Sequence, residues 1–154
     1  MSKNSLDLLN PRPFASRNHA WISETAKQIE QTSLELIRLA SSREWKNPVF
    51  GHITPDYKAE FDHSDGVDLD SWDAYVKHHE RLATANPEYR FESLDSVADI
   101  YESTGTGSVY ILLRVTGHPV NVVRESIIVM YWKREREEWK CHGQKVIRGM
   151  LWNA

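Results

Sequence analysis

The sequence contains a single cysteine, Cys141, among its 154 residues. An internal disulfide and a metal site with several thiolate ligands are therefore excluded. The chain also lacks a run of about 18 apolar residues, which a membrane-spanning helix needs. Its first residues lack the apolar core of a secretory signal. These absences predict an intracellular, cytoplasmic protein in a reducing compartment.

Positive charge is not in excess, because 19 lysines and arginines stand against 22 aspartates and glutamates, for a formal net charge of -3 at pH 7. A chain without a basic stripe is unsuited to nucleic acid. It contains no His-Glu-x-x-His spacing, no glycine-rich phosphate loop and no Gly-x-Ser-x-Gly elbow. The sequence therefore predicts no metal, no cofactor, and neither a nucleic-acid nor a membrane partner.

Aromatic residues are plentiful instead, with six tryptophans and six tyrosines. Such side chains carry large buried areas, either in an ordinary core or in the lining of a ligand pocket. The length fits one domain with a core of its own. Residues 1–18 are polar and contain Pro11 and Pro13, so we expect a flexible N-terminal arm followed by a single domain at 19–154.

The first half of the chain has helical patterns. Apolar residues at helical spacing predict a helix over residues 19–45, and its last turns are apolar nearly all round, as in a buried helix. Ser71 is a suitable N-cap for a helix over residues 72–85. Between them, residues 54–56 predict a turn or a short further helix, and residues 57–61 predict a short strand.

The second half of the chain is typical of strands joined by hairpins, which must be antiparallel. Helices followed by strands indicate an α+β domain, here with three N-terminal helices packed on the sheet. Residues 126–132 are apolar on both faces, so a partner subunit is expected to cover the face that the helices leave free. This predicts a homodimer through the sheet face. The predicted strands are 89–101, 108–117, 122–134 and 139–149.

This order of elements resembles the nuclear-transport-factor-2-like superfamily, and its SnoaL-like branch in particular. The resemblance covers about residues 19–149. It rests on the segment Thr54-Pro-Asp-Tyr-Lys-Ala-Glu-Phe61, the helix start Ser71-Trp-Asp-Ala-Tyr75, residues 109–116 before Gly117, and the final strand motif Glu138-Trp-Lys-Cys-His-Gly143. The resemblance implies a cone-shaped barrel, in which a curved antiparallel sheet and its helices enclose a deep pocket.

Within that superfamily the chain is similar to small cofactor-free enzymes of fungal secondary metabolism, such as meroterpenoid isomerases and semipinacolase-type enzymes. The resemblance implies isomerisation, cyclisation, rearrangement or dehydration of an apolar polycyclic natural product. The alternative is a non-catalytic small-molecule-binding or dimeric adapter domain, because a fold of this kind serves several roles.

Arg38 is the first candidate for catalysis, because it lies in the apolar end of the first predicted helix. Burying a guanidinium without a partner is costly. Arg38 could form a surface ion pair with Glu35, three residues earlier. It could instead point into the cone and hold a substrate carbonyl or an oxyanion. The resemblance favours this second role, because the ketosteroid isomerase branch places a hydrogen-bond donor at this level.

Asp62 is the second candidate. The resemblance aligns it with the carboxylate base that follows the first short strand, although Glu60 or His63 could serve instead. Among aromatic residues a carboxylate would have a raised pKa and could carry a proton near neutral pH. The same residues could equally form a surface turn.

His79 is the remaining catalytic candidate, either as a core residue or as an acid–base group facing the pocket. Alternation along the strands, with the family pattern, places Val109 and its alternate neighbours inward. The expected pocket lining is mostly apolar and aromatic, and consists of Tyr57, Glu60, Phe61, Trp72, Tyr75, Leu113, Met130 and Trp132.

Overall fold

The computed structural model describes residues 23–61 and 68–151. The predicted order, helices first and four long strands afterwards, is confirmed. No helix in these two ranges is long and apolar enough to cross a membrane. The predicted arm, residues 1–18, lies outside the described residues. The elements are α1 (Glu24–Ser41), a 3-10 helix (Pro48–His52), β1 (Ile53–Phe61), α2 (Trp72–Ala85), β2 (Arg90–Tyr101), β3 (Thr106–Thr116), β4 (Val123–Glu135) and β5 (Glu138–Leu151).

Both α-helices begin at a serine N-cap, which satisfies a free backbone N–H of the first turn. Ser23 accepts from the backbone N–H of Ala26 and Ser71 from that of Ala74, each at 3.1 Å. Helix α1 ends at Ser41 rather than at residue 45, because Arg43 adopts a left-handed conformation with φ of 58°. The start and end predicted for α2 are confirmed.

The expectation of three N-terminal helices is wrong for the described residues, which contain two α-helices and the five-residue 3-10 helix. Residues 54–56 belong to β1 instead. Pro55 is exposed there, and β1 is an edge strand, where the missing N–H of a proline is tolerated. The register with β5 shifts between Ile53 and Lys58, around this proline.

The five strands form one curved sheet in the order β1-β5-β4-β3-β2. The predicted antiparallel pairing of successive strands is confirmed for β2 with β3, for β3 with β4 and for β4 with β5. Strand β1 pairs in parallel with β5, which was not predicted. Gly143 makes this approach possible, because a Cβ at that position would lie 2.8 Å from the carbonyl oxygen of Lys58.

The helices cover the inner face of the sheet, with α1 against β2 and α2 against β1. The predicted inward set on β3, Val109 and its alternate neighbours, is buried, with Val109 and Ile111 completely so. The register pairs Val109 with Met130 and Ile111 with Ile128, so these β4 residues share the inner face. The predicted inward face of β3 is therefore confirmed.

Candidate functional site

A partly enclosed cavity of about 270 Å³ lies between α2 and the inner face of the sheet. Most of its walls are apolar or aromatic, and a minority of polar side chains reach it, as in a small-molecule site. The apolar and aromatic lining is Ile37, Phe61, Tyr75, Leu82, Phe91, Leu113, Val115, Ile128 and Val146. The remaining lining residues are His78, His79, Tyr89, His118, Arg124, Ser126, Gln144 and Arg148.

Arg124 is a buried cation on the inner face of β4, with 8% of its surface exposed. Its Nε donates to the carbonyl oxygen of His118 at 3.1 Å, and its Nη1 donates to Ser126 Oγ at 2.6 Å. Burial, followed by the nearby charge of Arg148, lowers the pKa of Arg124. Within residues 23–61 and 68–151, no carboxylate lies within 4.0 Å of this guanidinium. Neutral groups therefore hold it in place.

His79, on α2, lies in an aromatic environment beside the cavity. Its ring centroid is 4.5 Å from that of Tyr75 and 5.8 Å from that of Phe91. Burial, followed by the nearby His78, lowers the pKa of His79 to about 3, so the imidazole is neutral at pH 7. Its Nδ1 is 3.5 Å from the hydroxyl of Tyr89, whose pKa burial raises to about 12. The pair is therefore uncharged near neutral pH.

Gln144 lines the cavity from β5 and connects it to the aromatic core. Its Oε1 accepts a hydrogen bond of 2.6 Å from the hydroxyl of Tyr57, which is completely buried. Burial raises the pKa of Tyr57 and of Tyr75 well above the ordinary tyrosine value. These phenols therefore stay protonated and act as fixed structural donors rather than as proton carriers.

Three of the eight predicted lining residues do line the cavity: Phe61, Tyr75 and Leu113. The others lie elsewhere. Tyr57, Trp72 and Met130 surround a void of only about 10 Å³, where aromatic packing fills the space. Trp132 lines a second, more open pocket of about 410 Å³ beside the β4–β5 hairpin, together with His52.

Glu60 does not line the cavity either. It is exposed. Burial and then the charge of Glu60 raise the pKa of Tyr131, which lies on the outer face of the sheet. Alternation along β1 explains the error, because Tyr57 and Ala59 are the buried residues of that strand. Glu60 therefore points away from the cavity.

The predicted position of Arg38 inside the cone is wrong. Its side chain is 59% exposed, and its Nε donates to Glu35 at 3.0 Å. Hydrogen bonding to Glu35 raises the pKa of Arg38. The surface ion pair is therefore the correct alternative, because buried Ile37 and Leu39 flank Arg38 on the covered side of α1. The structure thus removes the basis for its catalytic role.

The remaining catalytic candidates are Asp62, His63 and His79. Asp62 and His63 lie outside the described residues, so their roles stay predictions. His79 does face the cavity. Its role as an acid–base group is not tested by this position, and its low pKa disfavours the protonated form near pH 7.

Arg124, Ser126 and Tyr89 were missed. The signal for two of them was present, because alternation backward from the inward-facing Ile128 reaches Ser126 and then Arg124. The residues of β4 predicted to line the pocket were its apolar residues alone. Tyr89 stands just before β2, where periodicity gives no information about its direction.

A metal centre would need three or more nearby donors. In the part of the chain that the structure describes, no group of three or more histidine, cysteine, aspartate or glutamate side chains is placed to hold a metal ion. The one cysteine, Cys141, is completely buried, and burial raises the pKa of its thiol to about 12. It is therefore an inert packing residue at neutral pH.

Comparison with family models and with curated proteins finds no match. Solved structures do match, and several of their descriptions name an NTF2-like or cystatin-like fold. An NTF2-like protein of unknown function from Pseudomonas putida KT2440 has a TM-score of 0.62 and 13% identity, over 80% of this chain and 85% of that chain. These values show the fold, which the sequence resemblance predicted.

Two further matches carry functional names. A ketosteroid isomerase-like protein from Shewanella frigidimarina has a TM-score of 0.55 and 9% identity, over 74% of this chain and 91% of that chain. The CamKII hub homology domain of Chlamydomonas reinhardtii has a TM-score of 0.62 and 10% identity, over 83% of this chain and all of that chain. One fold thus carries names that imply different roles.

Proposed function

We propose that this chain is a cofactor-independent cytoplasmic isomerase, cyclase or lyase acting on a compact apolar molecule with a polarisable oxygen. The observation that carries the proposal is the cavity of about 270 Å³, into which the buried Arg124 projects from an otherwise mostly apolar lining. This volume is slightly below the range of about 300–1,000 Å³ typical of ligand pockets. It favours a substrate of two or three fused rings, such as a small polycyclic natural product.

Arg124 would stabilise negative charge that develops on the substrate oxygen. A guanidinium that is already oriented by His118 and Ser126 needs no rearrangement during the reaction. The neutral hydroxyl of Tyr89 and the neutral ring of His79 would orient the substrate without competing for its charge. The apolar walls would exclude water and strengthen the electrostatic interaction.

The proton carrier in this proposal remains Asp62 or His63, as in the family resemblance. These residues directly follow Phe61, whose side chain lines the cavity. The resemblance to fungal meroterpenoid isomerases and semipinacolase-type enzymes supports a rearrangement or cyclisation as the full reaction.

Hydrogen–deuterium exchange tests the reaction class without knowledge of the natural substrate. The protein is incubated with 2-tetralone in D2O, and loss of the protons beside the carbonyl is followed by NMR. We expect exchange above the buffer rate, and a loss of about 10²-fold in that enhancement for Arg124→Met. Arg38→Met is the matched control and should exchange like the wild type. Equal rates with and without protein would contradict the proposal.

The second candidate function is a non-catalytic binding or dimeric adapter domain. The apolar character of the outer sheet face favours it, since Ile147 is 39% exposed there and neighbours Ile127 across the β4–β5 pair. The same face supports the proposal of a homodimer. An adapter would sediment as a dimer and leave the exchange rate of 2-tetralone at the buffer value.

A further inference from the structure

The charged side chains that line the cavity of about 270 Å³ are cationic. They are Arg124 and Arg148, and His78 and His118 also reach the cavity. Among the described lining residues there is no aspartate and no glutamate. This asymmetry of charge is complementary to an anionic ligand.

Arg124 is the centre of this asymmetry, because it is a buried cation that lacks a carboxylate partner among the described residues. Taking a guanidinium out of water is costly unless an opposite charge or a full set of acceptors compensates it. Its two acceptors, the His118 carbonyl and Ser126 Oγ, are both neutral. A second cation, Arg148, adds repulsion. An anion bound in the cavity would supply the opposite charge that the described residues do not offer to Arg124.

The geometry of the guanidinium also fits a carboxylate. Arginine has five N–H donors, and the two hydrogen bonds at Nε and Nη1 occupy two of them. One donor of Nη1 and both donors of Nη2 remain, and these two nitrogens form the edge that binds a carboxylate in a bidentate manner. Lysine has no such edge.

The aromatic part of the cavity wall suits an aromatic or alicyclic ring system. Tyr89 and Phe91 have ring centroids 5.7 Å apart, and His79 packs beside both. The imidazole is uncharged near neutral pH, so it offers a ring face rather than a second cation. An anionic group would therefore bind to Arg124 rather than to His79.

We propose that Arg124 is the anchor for a carboxylate, and that the natural ligand of the cavity is a compact aromatic or alicyclic carboxylic acid. This inference rests on the proposed function, because it assumes that the substrate occupies this cavity. It adds to that function the ionic class of the substrate. In this form Arg124 holds a carboxylate that the substrate already carries, in place of charge that develops on a substrate oxygen, and the carboxylate orients the ring system for the reaction.

Isothermal titration with two matched probes tests the inference. The probes are 2-naphthoate, which is an anion at pH 7, and its methyl ester, which has nearly the same shape and no charge. We expect 2-naphthoate to bind at least tenfold more tightly than the ester. In Arg124→Met the acid should lose at least tenfold in affinity, while the ester should change by less than threefold. Arg38→Met should leave both affinities unchanged.

Melting curves verify that the Arg124→Met protein is folded. If it is not, Arg124→Lys replaces it, since this variant keeps the charge and loses the bidentate edge; the acid should then bind several-fold more weakly. Tighter binding of the ester than of the acid to the wild type would overturn the carboxylate inference and leave the proposed function standing. Absence of binding by both probes would overturn both.

Discussion

The two ends of the inner sheet face are filled differently, although the same strands run through both. At one end Tyr57 and Trp72 pack so closely that a void of only about 10 Å³ remains. At the other end the cavity measures about 270 Å³. The inward residues of β4 change accordingly, from Met130 at the filled end to Ser126 and Arg124 at the open end. Side-chain size along one strand thus decides where space remains.

One polar group at each end shows the same difference. At the filled end the hydroxyl of Tyr57 donates to Gln144 Oε1 at 2.6 Å, so this buried donor has a partner inside the protein. At the open end Arg124 keeps donors that no described residue accepts. Buried polar groups in a structural core are normally satisfied. The remaining donors of Arg124 therefore fit a binding site, in which a ligand would accept them.

The largest predicted effect is a loss of stability in acid, caused by His79 at the open end. The unfolded histidine takes up a proton below pH 6.5, whereas folded His79 stays neutral down to about pH 3. The native state therefore loses stability as the pH falls through this window, by about 1.4 kcal/mol per pH unit. In His79→Phe this loss should be absent, so that between pH 7.5 and 4.5 the wild type should lose roughly 2–3 kcal/mol more than the variant.

Urea denaturation at pH 7.5, 5.5 and 4.5 measures this difference. His78→Gln is the control, because this neighbouring histidine is only half-buried and should change the pH dependence much less. Parallel stability curves for the wild type and His79→Phe would contradict the assignment of His79 as a buried neutral imidazole.

A pair of identical substitutions on β3 compares the space at the two ends directly. Val109 is completely buried and lines none of the three cavities, whereas Val115 lines the cavity of about 270 Å³. Val109→Phe should therefore overpack the core and lose about 1–3 kcal/mol of stability. Val115→Phe should lose less, because its ring enters open space, but it should abolish binding of 2-naphthoate.

Urea denaturation and titration of both variants decide the outcome. The comparison fails if Val115→Phe is as unstable as Val109→Phe, because the cavity would then not be available space. It also fails if Val115→Phe is stable and still binds the probe with wild-type affinity.

The sequence was sufficient for most of the fold, because periodicity reports local geometry. The four strands and the helix Trp72–Ala85 followed from alternation and from the Ser71 cap. The parallel pairing of β1 with β5 did not follow, since it joins residues more than 80 positions apart. Local patterns carry no information about such contacts.

The site was less accessible than the fold, because it depends on which way individual polar side chains point. Arg38 lies among apolar residues in sequence, yet its direction on α1 takes it to the surface. Arg124 lies between Val123 and Glu125 in sequence, and the pleat of β4 turns it inward. The apolar neighbours of Arg38 favoured the wrong arginine, whereas strict application of the strand period would have indicated Arg124.

The smallest effect is therefore predicted for Arg38, which is the surface counterpart of Arg124. Its pairing with Glu35 is exposed to water, and pairs of this kind often contribute nothing measurable. Arg38→Met should have the melting temperature of the wild type at both low and high salt, and the same affinity for 2-naphthoate. Arg124→Met should differ from it only in the cavity, by losing the acid while retaining the ester. A loss of probe binding in Arg38→Met would mean that α1 rotates toward the cavity in solution, and the distinction between the two arginines would no longer hold.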